Sequence, residues 1–324
     1  MTNAPTHSGT AAAEWDSQLQ QMDGHFLQST LWQRVQQALG YNVVWDRGAG
    51  WMWSGAVRSG RFPRYLYLPY GPAALPEATD TALLSAVAAA RALALDFARL
   101  EPMGADFGDA LARSGALATR SIQPRWTSVL DISAREDELR RGLSAGHRGS
   151  INAAERRGLR IRSSRDPQQL EAFLDLRARN RQSGRYAGPA PRYLRTVAAT
   201  LMPLNAATLY VAYVSGDAIA AALCFDFAGT RYYAHAVSDP DRGRRLGAAA
   251  PLVWRMILDG HAAGIRRFDF WGVVPGGDPR HPWAGLTQFK MAFGGQLVAR
   301  SATWDVPVRS LRHRLYRALH SLRR

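Results

Sequence analysis

The chain has 324 residues, 47% of them hydrophobic and 10% aromatic, which supplies core material for two domains and excludes a disordered chain. A formal net charge of +15 and a pI of about 10.8 favour polyanionic partners (RNA, DNA, nucleotide-linked substrates or an anionic membrane face), although a basic soluble enzyme that binds no nucleic acid fits the same numbers. The single cysteine, Cys224, excludes a disulfide framework and a cysteine-based zinc site within one chain, and its apolar surroundings Ile219–Phe225 make it a buried strand residue.

The segment Met1–Asp16 is polar and small and lacks the basic start and apolar core of a signal peptide, so a frayed tail on a cytoplasmic protein is expected. A helix is predicted from Leu31 to Leu39, capped by Ser29 or Thr30. Strands at Tyr41–Asp46 and Trp51–Val57 flank Arg47-Gly48-Ala49-Gly50, a hairpin signal, and a third strand, Tyr65–Tyr70, stops at Gly71-Pro72. A helix over Asp80–Leu93, a strand over Ala94–Leu100 and a short helix near Gly108–Ser114 follow. The apolar stretch Ala82–Phe97 is interrupted by Arg91 and Asp96 and is too short to span a membrane.

The second half runs in the same order. Basic helices occupy Glu136–Arg157, a strand Arg160–Ser163, and Asp166 caps a helix with Pro167 in its first turn. The strands Thr208–Val214 and Ala218–Phe227 meet at Ser215-Gly216-Asp217. A third strand covers Arg231–Val237, with the lone His235 on it read as packed or exposed rather than catalytic, and a loop rich in arginine and glycine leads to the helix Ala248–Ala263 and the strand Arg267–Trp271. Two halves that each read hairpin, strand, helix, strand suggest an internal duplication without residue identity. The tail Val308–Arg324 sets Leu311, Leu315, Leu319 and Leu322 on one helical face with arginines elsewhere; docking onto a domain is expected, and a basic face for peripheral contact with RNA or a membrane is the alternative.

All but one of the 41 basic residues are arginine, and the exception is Lys290, within Leu286–Gly295. An ammonium is compact and can shift its pKa, whereas a guanidinium is broad and permanently charged, so an amine retained alone in an arginine-rich chain is a candidate for chemistry. Phe289 and Phe293 lie one helical turn apart and are expected to anchor its helix, after a long loop, Val273–Gly285, of the kind that covers sites.

Strand, loop, helix and strand around Tyr232–Trp271 resemble the core unit of the GCN5-related N-acyltransferase (GNAT) architecture. Arg244-Arg245-Leu246-Gly247-Ala248-Ala249 fits that superfamily's phosphate loop, where small residues let backbone N–H groups at a helix N-terminus approach phosphate oxygens. Dispersed matches spanning nearly the whole chain resemble the FemX/FemA/FemB peptidoglycan-bridge aminoacyltransferases. They are Phe26-Leu27-Gln28-Ser29 with Trp32, Tyr70-Gly71-Pro72, Leu100-Glu101-Pro102, Ile122-Gln123-Pro124-Arg125 before Val129-Leu130-Asp131, Tyr232-Tyr233 through Ser238, Phe268-Asp269-Phe270 with Gly272, and Phe289-Lys290 with Phe293-Gly294-Gly295. No heptad-patterned insertion separates Asp166 from Ala207, so the chain resembles the compact FemX type without a coiled-coil arm.

The resemblance implies an α/β (α+β) chain of two tandem GNAT-like domains with mixed sheets flanked by helices: residues 1–125 with 298–324 on the acceptor side, and 126–297. It implies transfer of an amino acid from aminoacyl-tRNA, as co-substrate and with no other cofactor or metal, to an amine of a UDP-linked or lipid-linked cell-wall precursor, in the cytoplasm or at the inner membrane face. Lys290 maps onto the family's functional lysine, as the charge that meets the developing oxyanion or holds the terminal adenosine. Asp269 either orients the attacking amine or caps its loop. Tyr70, Glu101, Tyr233 and Phe289 fall at substrate-binding positions, Arg34 at that of a diphosphate ligand, and Arg185 or Arg192 at its counterpart in the second domain, where the local spacing departs from the family pattern. Arg244 and Gly247 are the phosphate-loop candidates. A secondary-metabolite amine as acceptor, an acyl-CoA-dependent N-acyltransferase and a non-catalytic RNA- or membrane-binding protein are the alternatives.

Overall fold

The structure, a computed structural model, describes residues 9–60, 62–104, 107–182, 188–276 and 279–321. The chain divides into two compact units, Met1–Arg125 with Ala299–Arg324, and Trp126–Val298.

The first unit opens with helix α1, Thr10–Gln21. The polar look of the N-terminus concealed it: Trp15 and Leu19 are fully buried, one turn apart, and Asp16 accepts from the Thr30 backbone N–H at 2.9 Å and from its hydroxyl at 2.6 Å, so the expected frayed tail is an ordered helix from Thr10 onward. Helix α2 (Thr30–Ala38) is capped by Ser29, whose hydroxyl accepts from Trp32 N–H. Strands β1 (Asn42–Gly48) and β2 (Trp51–Ser59) form a hairpin around Ala49-Gly50. Next come β3 (Arg64–Leu68), the two-residue β4 (Ala73–Ala74), α3 (Thr79–Ala92), β5 (Phe97–Leu100), α4 (Gly108–Arg113) and β6 (Leu117–Thr119).

The second unit starts with β7 (Trp126–Asp131), then α5 (Glu136–Gly142), α6 (Ala145–Ala153), β8 (Arg160–Ser164), α7 (Glu171–Gln182) and α8 (Pro191–Leu201). Asp166 caps the 3₁₀ turn that leads into α7, accepting from Gln168 N–H at 2.9 Å. Strands β9 (Ala207–Val214), β10 (Asp217–Phe227) and β11 (Thr230–Ser238) follow, then the short helix α9 (Arg242–Arg245), α10 (Ala249–Ala262), β12 (Arg267–Gly272), α11 (Ala284–Met291) and β13 (Gln296–Ala299). The first unit then resumes with β14 (Thr303–Pro307) and α12 (Ser310–Ser321).

Each unit is a seven-stranded mixed sheet, ordered β1-β2-β3-β5-β14-β6 with β4 beside β2 in the first, and β13-β7-β12-β11-β10-β9-β8 in the second. In each, an antiparallel run ends on one parallel pair, β3 with β5 and β11 with β12, joined by a crossover helix, α3 or α10. Each parallel strand is covered on its far side by an antiparallel strand, β14 on β5 and β7 on β12. The duplication read in the sequence is therefore topological.

Buried polar locks hold both cores. In the second unit Arg231 donates to Asp226 at 2.8 and 2.7 Å, to the Tyr210 hydroxyl at 3.0 Å and to the Met256 carbonyl at 2.8 Å. In the first, Arg99 donates to both oxygens of Asp305 at 2.7 and 2.8 Å, and the His313 ring nitrogen lies 3.2 Å from Asp305. His313 and Tyr316 are the buried face of α12. The expected docking is thus reversed for Leu311, Leu315 and Leu319, which face solvent because the two aromatic rings pack on Phe97, while Leu322 lies outside the described residues. Cys224 is buried in β10, as expected, and burial pushes its thiol up to about 12. Among the described residues, no helix is long and apolar enough to cross a membrane.

Candidate active site

The second unit positions Lys290. Helix α11 carries Lys290 in its last turn, and Phe293 inserts fully buried beyond it, stacked on Phe270 at 5.2 Å and edge-on to Phe289 at 5.5 Å. The helix is clamped from outside: Ser144 N–H donates to the Ala292 carbonyl at 2.8 Å, His147 Nε2–H to the Phe289 carbonyl at 3.0 Å, and Val274 N–H to the Thr287 hydroxyl at 3.0 Å. These contacts press Lys290 inward until it is 5% exposed. Its Nζ donates to the Gly272 carbonyl at 2.7 Å and stands 5.9 Å over the Tyr233 ring. Burial pulls its pKa down to about 8, with the Asp269 charge opposing. The amine is a buried cation close to its point of titration.

The two glycines after Phe293 have steric reasons. Gly294 has φ +88°, and a Cβ there would lie 2.8 Å from the Gly142 carbonyl oxygen; one at Gly295 would lie 2.4 Å from Ser128 Oγ in β7. Gly294→Ala is expected to lower stability by about 2–3 kcal/mol through backbone strain and the clash. A shift of the urea midpoint measures it.

Asp269 sits where the sheet changes character. Parallel pairing of β11 and β12 runs only from Thr230 to Tyr232 and from Arg267 to Asp269, and the β12–β7 register slips between Asp269 and Gly272. Asp269 Oδ1 accepts from Trp271 N–H at 2.7 Å and from the Thr127 hydroxyl, and Trp271 adopts φ +59°. The carboxylate therefore holds the kink that aims the Gly272 carbonyl at Lys290. Of the two roles open for Asp269, the loop-capping one is visible in its hydrogen bonds.

The same unit holds a cleft of about 530 Å³ whose walls include His147, Ser150, Asn180, Ser238, Asp239 and Phe289. Its floor is small: Gly243, Gly247, Ala249 and Ala250 at the start of α10, where no side chain caps the helix and no acidic residue occupies the first turn. Gly247 has φ +61°, and a Cβ would meet Arg157 Nη1 at 3.0 Å and Ser150 Oγ at 3.2 Å. Side chains at these positions are absent or a single methyl, which leaves the backbone open to the cleft. The lining reaches Phe289 and not its neighbour Lys290. Arg185 lies outside the described residues, as does the Arg244 side chain. Arg192 is exposed on α8. His235 packs edge-on to Tyr193 and Phe225, and burial pulls its pKa down to about 4, leaving it neutral.

In the first unit the candidates take internal positions. Glu101 is buried, with Oε2 accepting from the Tyr67 hydroxyl at 2.5 Å and Oε1 from Ile122 N–H, Gln123 N–H and the Thr303 hydroxyl at 2.8, 3.0 and 2.6 Å. The Tyr70 hydroxyl donates to the Pro124 carbonyl at 2.8 Å, and its ring lies 4.3 Å from that of His25. Gln28 shares both amide atoms with Ser54 and donates to the Pro69 carbonyl, and a Cβ on Gly71 would strike it at 2.4 Å. The first-half motifs thus interlock with one another. Arg34 is half-buried on α2, where its charge favours ionised Asp16; burial is the larger influence there and raises the Asp16 pKa.

His147 was missed by sequence reasoning. Its only sequence signal is Ser144, three residues earlier, which caps α6 and accepts from His147 N–H. The cleft role depends on residues more than 100 positions away.

The acetyltransferase (GNAT) domain family matches residues 143–290. The crystal structure of FemX superposes with a TM-score of 0.81 at 16% identity, covering 95% of this chain and 98% of that one. The chain has a GNAT-type fold and is similar to FemX in its architecture. The C-terminal domain of a putative lysylphosphatidylglycerol synthetase from Agrobacterium fabrum is similar at a TM-score of 0.63 and 15% identity, with 95% and 96% of the two chains covered. A tandem GNAT protein from the clavulanic acid biosynthesis pathway is similar at 0.55 and 16%, with 91% and 95% covered. No curated protein matches the sequence. Two tandem GNAT-like units agree with the two sheets described above.

Proposed function

We propose that the chain moves an amino acid from aminoacyl-tRNA to an amine of a peptidoglycan precursor peptide. The amine nitrogen attacks the ester carbonyl, a C–N bond forms as the C–O bond to the ribose breaks, and the proton lost by the amine ends on the ribose hydroxyl. The observation that carries this reading is Lys290: the one amine side chain of the sequence is buried in a GNAT-fold unit, its Nζ fixed by the Gly272 carbonyl beside Asp269. A fixed cation near the carbonyl oxygen lowers the barrier as charge develops, and one such donor is typically worth about 2.7–4 kcal/mol. The FemX-like architecture and the likeness to a lysylphosphatidylglycerol synthetase domain support an aminoacyl rather than an acetyl donor.

The expected result is a precursor heavier by one amino-acid residue after incubation with charged total tRNA, read by mass spectrometry, and abolished by prior RNase treatment. A second reading, acyl transfer from acyl-CoA, is favoured by the small residues Gly243, Gly247, Ala249 and Ala250 that line the cleft at the start of α10, where a diphosphate could approach the backbone. RNase-resistant product formed from purified acyl-CoA alone selects it and overturns the first.

A further inference from the structure

Helix α12 is amphipathic in an unusual sense, because its apolar stripe is turned away from the unit to which it belongs. Leu311, Leu315 and Leu319 recur every fourth residue and are 80%, 55% and 45% exposed, and Leu311 is the most exposed large hydrophobic residue among those described. The opposite face is already satisfied: His313 and Tyr316 are buried against Phe97, and the Arg99 guanidinium donates to the Tyr316 hydroxyl at 3.3 Å. The leucines are therefore not waiting for the helix to rotate into its own core. Holding three leucines in water on one stripe is a standing cost that a partner surface would relieve.

Charge selects the partner. No acidic residue follows Asp305, while Arg309, Arg312, Arg314, Arg317, Arg323 and Arg324 all do. Arg309, Arg312, Arg314 and Arg317 are exposed. At helical spacing Arg312 and Arg314 flank the leucine stripe on its two sides. Arg312 reaches Asp96 at 2.5 Å with nearly half its side chain still exposed. Beyond Arg314, Arg317 and His320 line a basic groove with Arg99 and Arg120. A second copy of this chain would bring two all-basic helices together and repel itself. RNA would meet the arginines and leave the leucines without an apolar counterpart. An anionic bilayer offers both at one depth, phosphates at the level of the guanidinium groups and acyl chains below them.

We propose that α12 is a peripheral docking element that lies in the interface of an anionic lipid surface, with Leu311, Leu315 and Leu319 inserted and Arg312 and Arg314 on the phosphates. The proposal does not depend on which acyl donor or acceptor the chain uses, because vesicle binding is read without any transfer reaction.

The test is co-sedimentation of the full chain with vesicles of phosphatidylcholine, with and without phosphatidylglycerol. The full chain is expected to sediment with the anionic vesicles only, and less as salt rises. The combined Leu311→Ser, Leu315→Ser and Leu319→Ser variant should fold normally, since these side chains are exposed, and should lose at least about tenfold in partitioning. Arg314→Glu should weaken binding roughly fivefold or more by reversing one interfacial charge. Equal sedimentation of the triple-serine variant overturns the proposal, as does equal binding to neutral vesicles. Vesicle binding absent from the wild type, with tRNA retention or a concentration-dependent dimer lost in the triple-serine variant, overturns it in favour of those partners.

Discussion

Lys290→Met slows single-turnover transfer about 10²- to 10³-fold at neutral pH without weakening the fold: this is the expected result that most directly tests the site, and the size is that of one lost oxyanion donor. The stability half of the expectation comes from the sign of the pKa shift. The amine titrates near 8 when folded and near 10.5 when unfolded. Below pH 8 both states are protonated, and the folded protein bears the cost of a buried charge. Between these values the unfolded state binds more protons, so stability rises with pH as that cost is removed. The gap from 10.5 to about 8 corresponds to roughly 3 kcal/mol, so a methionine of similar length should leave the urea midpoint at neutral pH unchanged or higher. A residue that is costly to the fold and valuable to the reaction is the pattern expected of functional machinery.

The pH profile separates the possible roles of the amine. If the cation is the working form, the rate advantage of the wild type over Lys290→Met shrinks as pH rises through about 8, because the side chain then becomes neutral. A general base would widen the advantage over the same interval. Lys290→Arg keeps a charge but replaces a point donor with a fork too broad for the space between the Gly272 carbonyl and the Tyr233 ring. It is expected to recover less than a tenth or so of the lost rate. Chemical-quench measurement of product per enzyme, with ester hydrolysis subtracted from a reaction without acceptor, reads all three; near-normal rates in both variants would falsify the role given to Lys290.

The second large effect is on stability. Asp305→Ala is expected to cost about 3–5 kcal/mol, because it leaves the Arg99 guanidinium buried with its carboxylate partner removed. Burial alone would push the Asp305 carboxyl up, but hydrogen bonds and charge from Arg99 and His313 outweigh it and hold the pKa below the usual aspartate value. A depressed carboxylate contributes stability in full above the unfolded pKa of 3.8 and loses it as pH falls through the lower folded value. The wild type should thus have an acid limb of unfolding that the variant lacks. Replacing Arg99 by Met in the Asp305→Leu background should recover much of the loss, since no buried charge then remains unpaired. Urea midpoints across acidic pH check both statements, and a loss below about 1 kcal/mol in Asp305→Ala would show the pair to be dispensable.

Much of the fold was legible because its signals are local. Hydrophobic alternation and turn chemistry located the hairpins at Ala49-Gly50 and Ser215-Gly216, Ser29 and Asp166 marked real helix starts, and the order of elements in the two halves revealed the duplication. What escaped were elements whose stability comes from elsewhere. The polar run before Asp16 becomes α1 because Trp15 and Leu19 find a core, and β14, only five residues with an aspartate and a proline, is a strand because β5 and β6 flank it. The tail was read as amphipathic correctly and oriented wrongly. Leucine is the more apolar residue, but His313 and Tyr316 match the aromatic and charged surroundings of Phe97, Arg99 and Asp305, and packing complementarity outweighed hydrophobicity.

At the candidate site, composition by itself determined where to look. One lysine among forty arginines, between two phenylalanines and ahead of two glycines, is visible in the letters, because side-chain identity and short-range spacing are properties of the chain before it folds. Only the tertiary structure decided what surrounds the amine. The Gly272 carbonyl, the Tyr233 ring, the Asp269 charge and the His147 clamp come from segments 18 to more than 140 residues away, and the shift of the pKa to about 8 arises from burial that those segments create together. A sequence states which groups are available; their dielectric surroundings and mutual distances exist only once the sheet, the kink at Trp271 and helix α11 have closed around them.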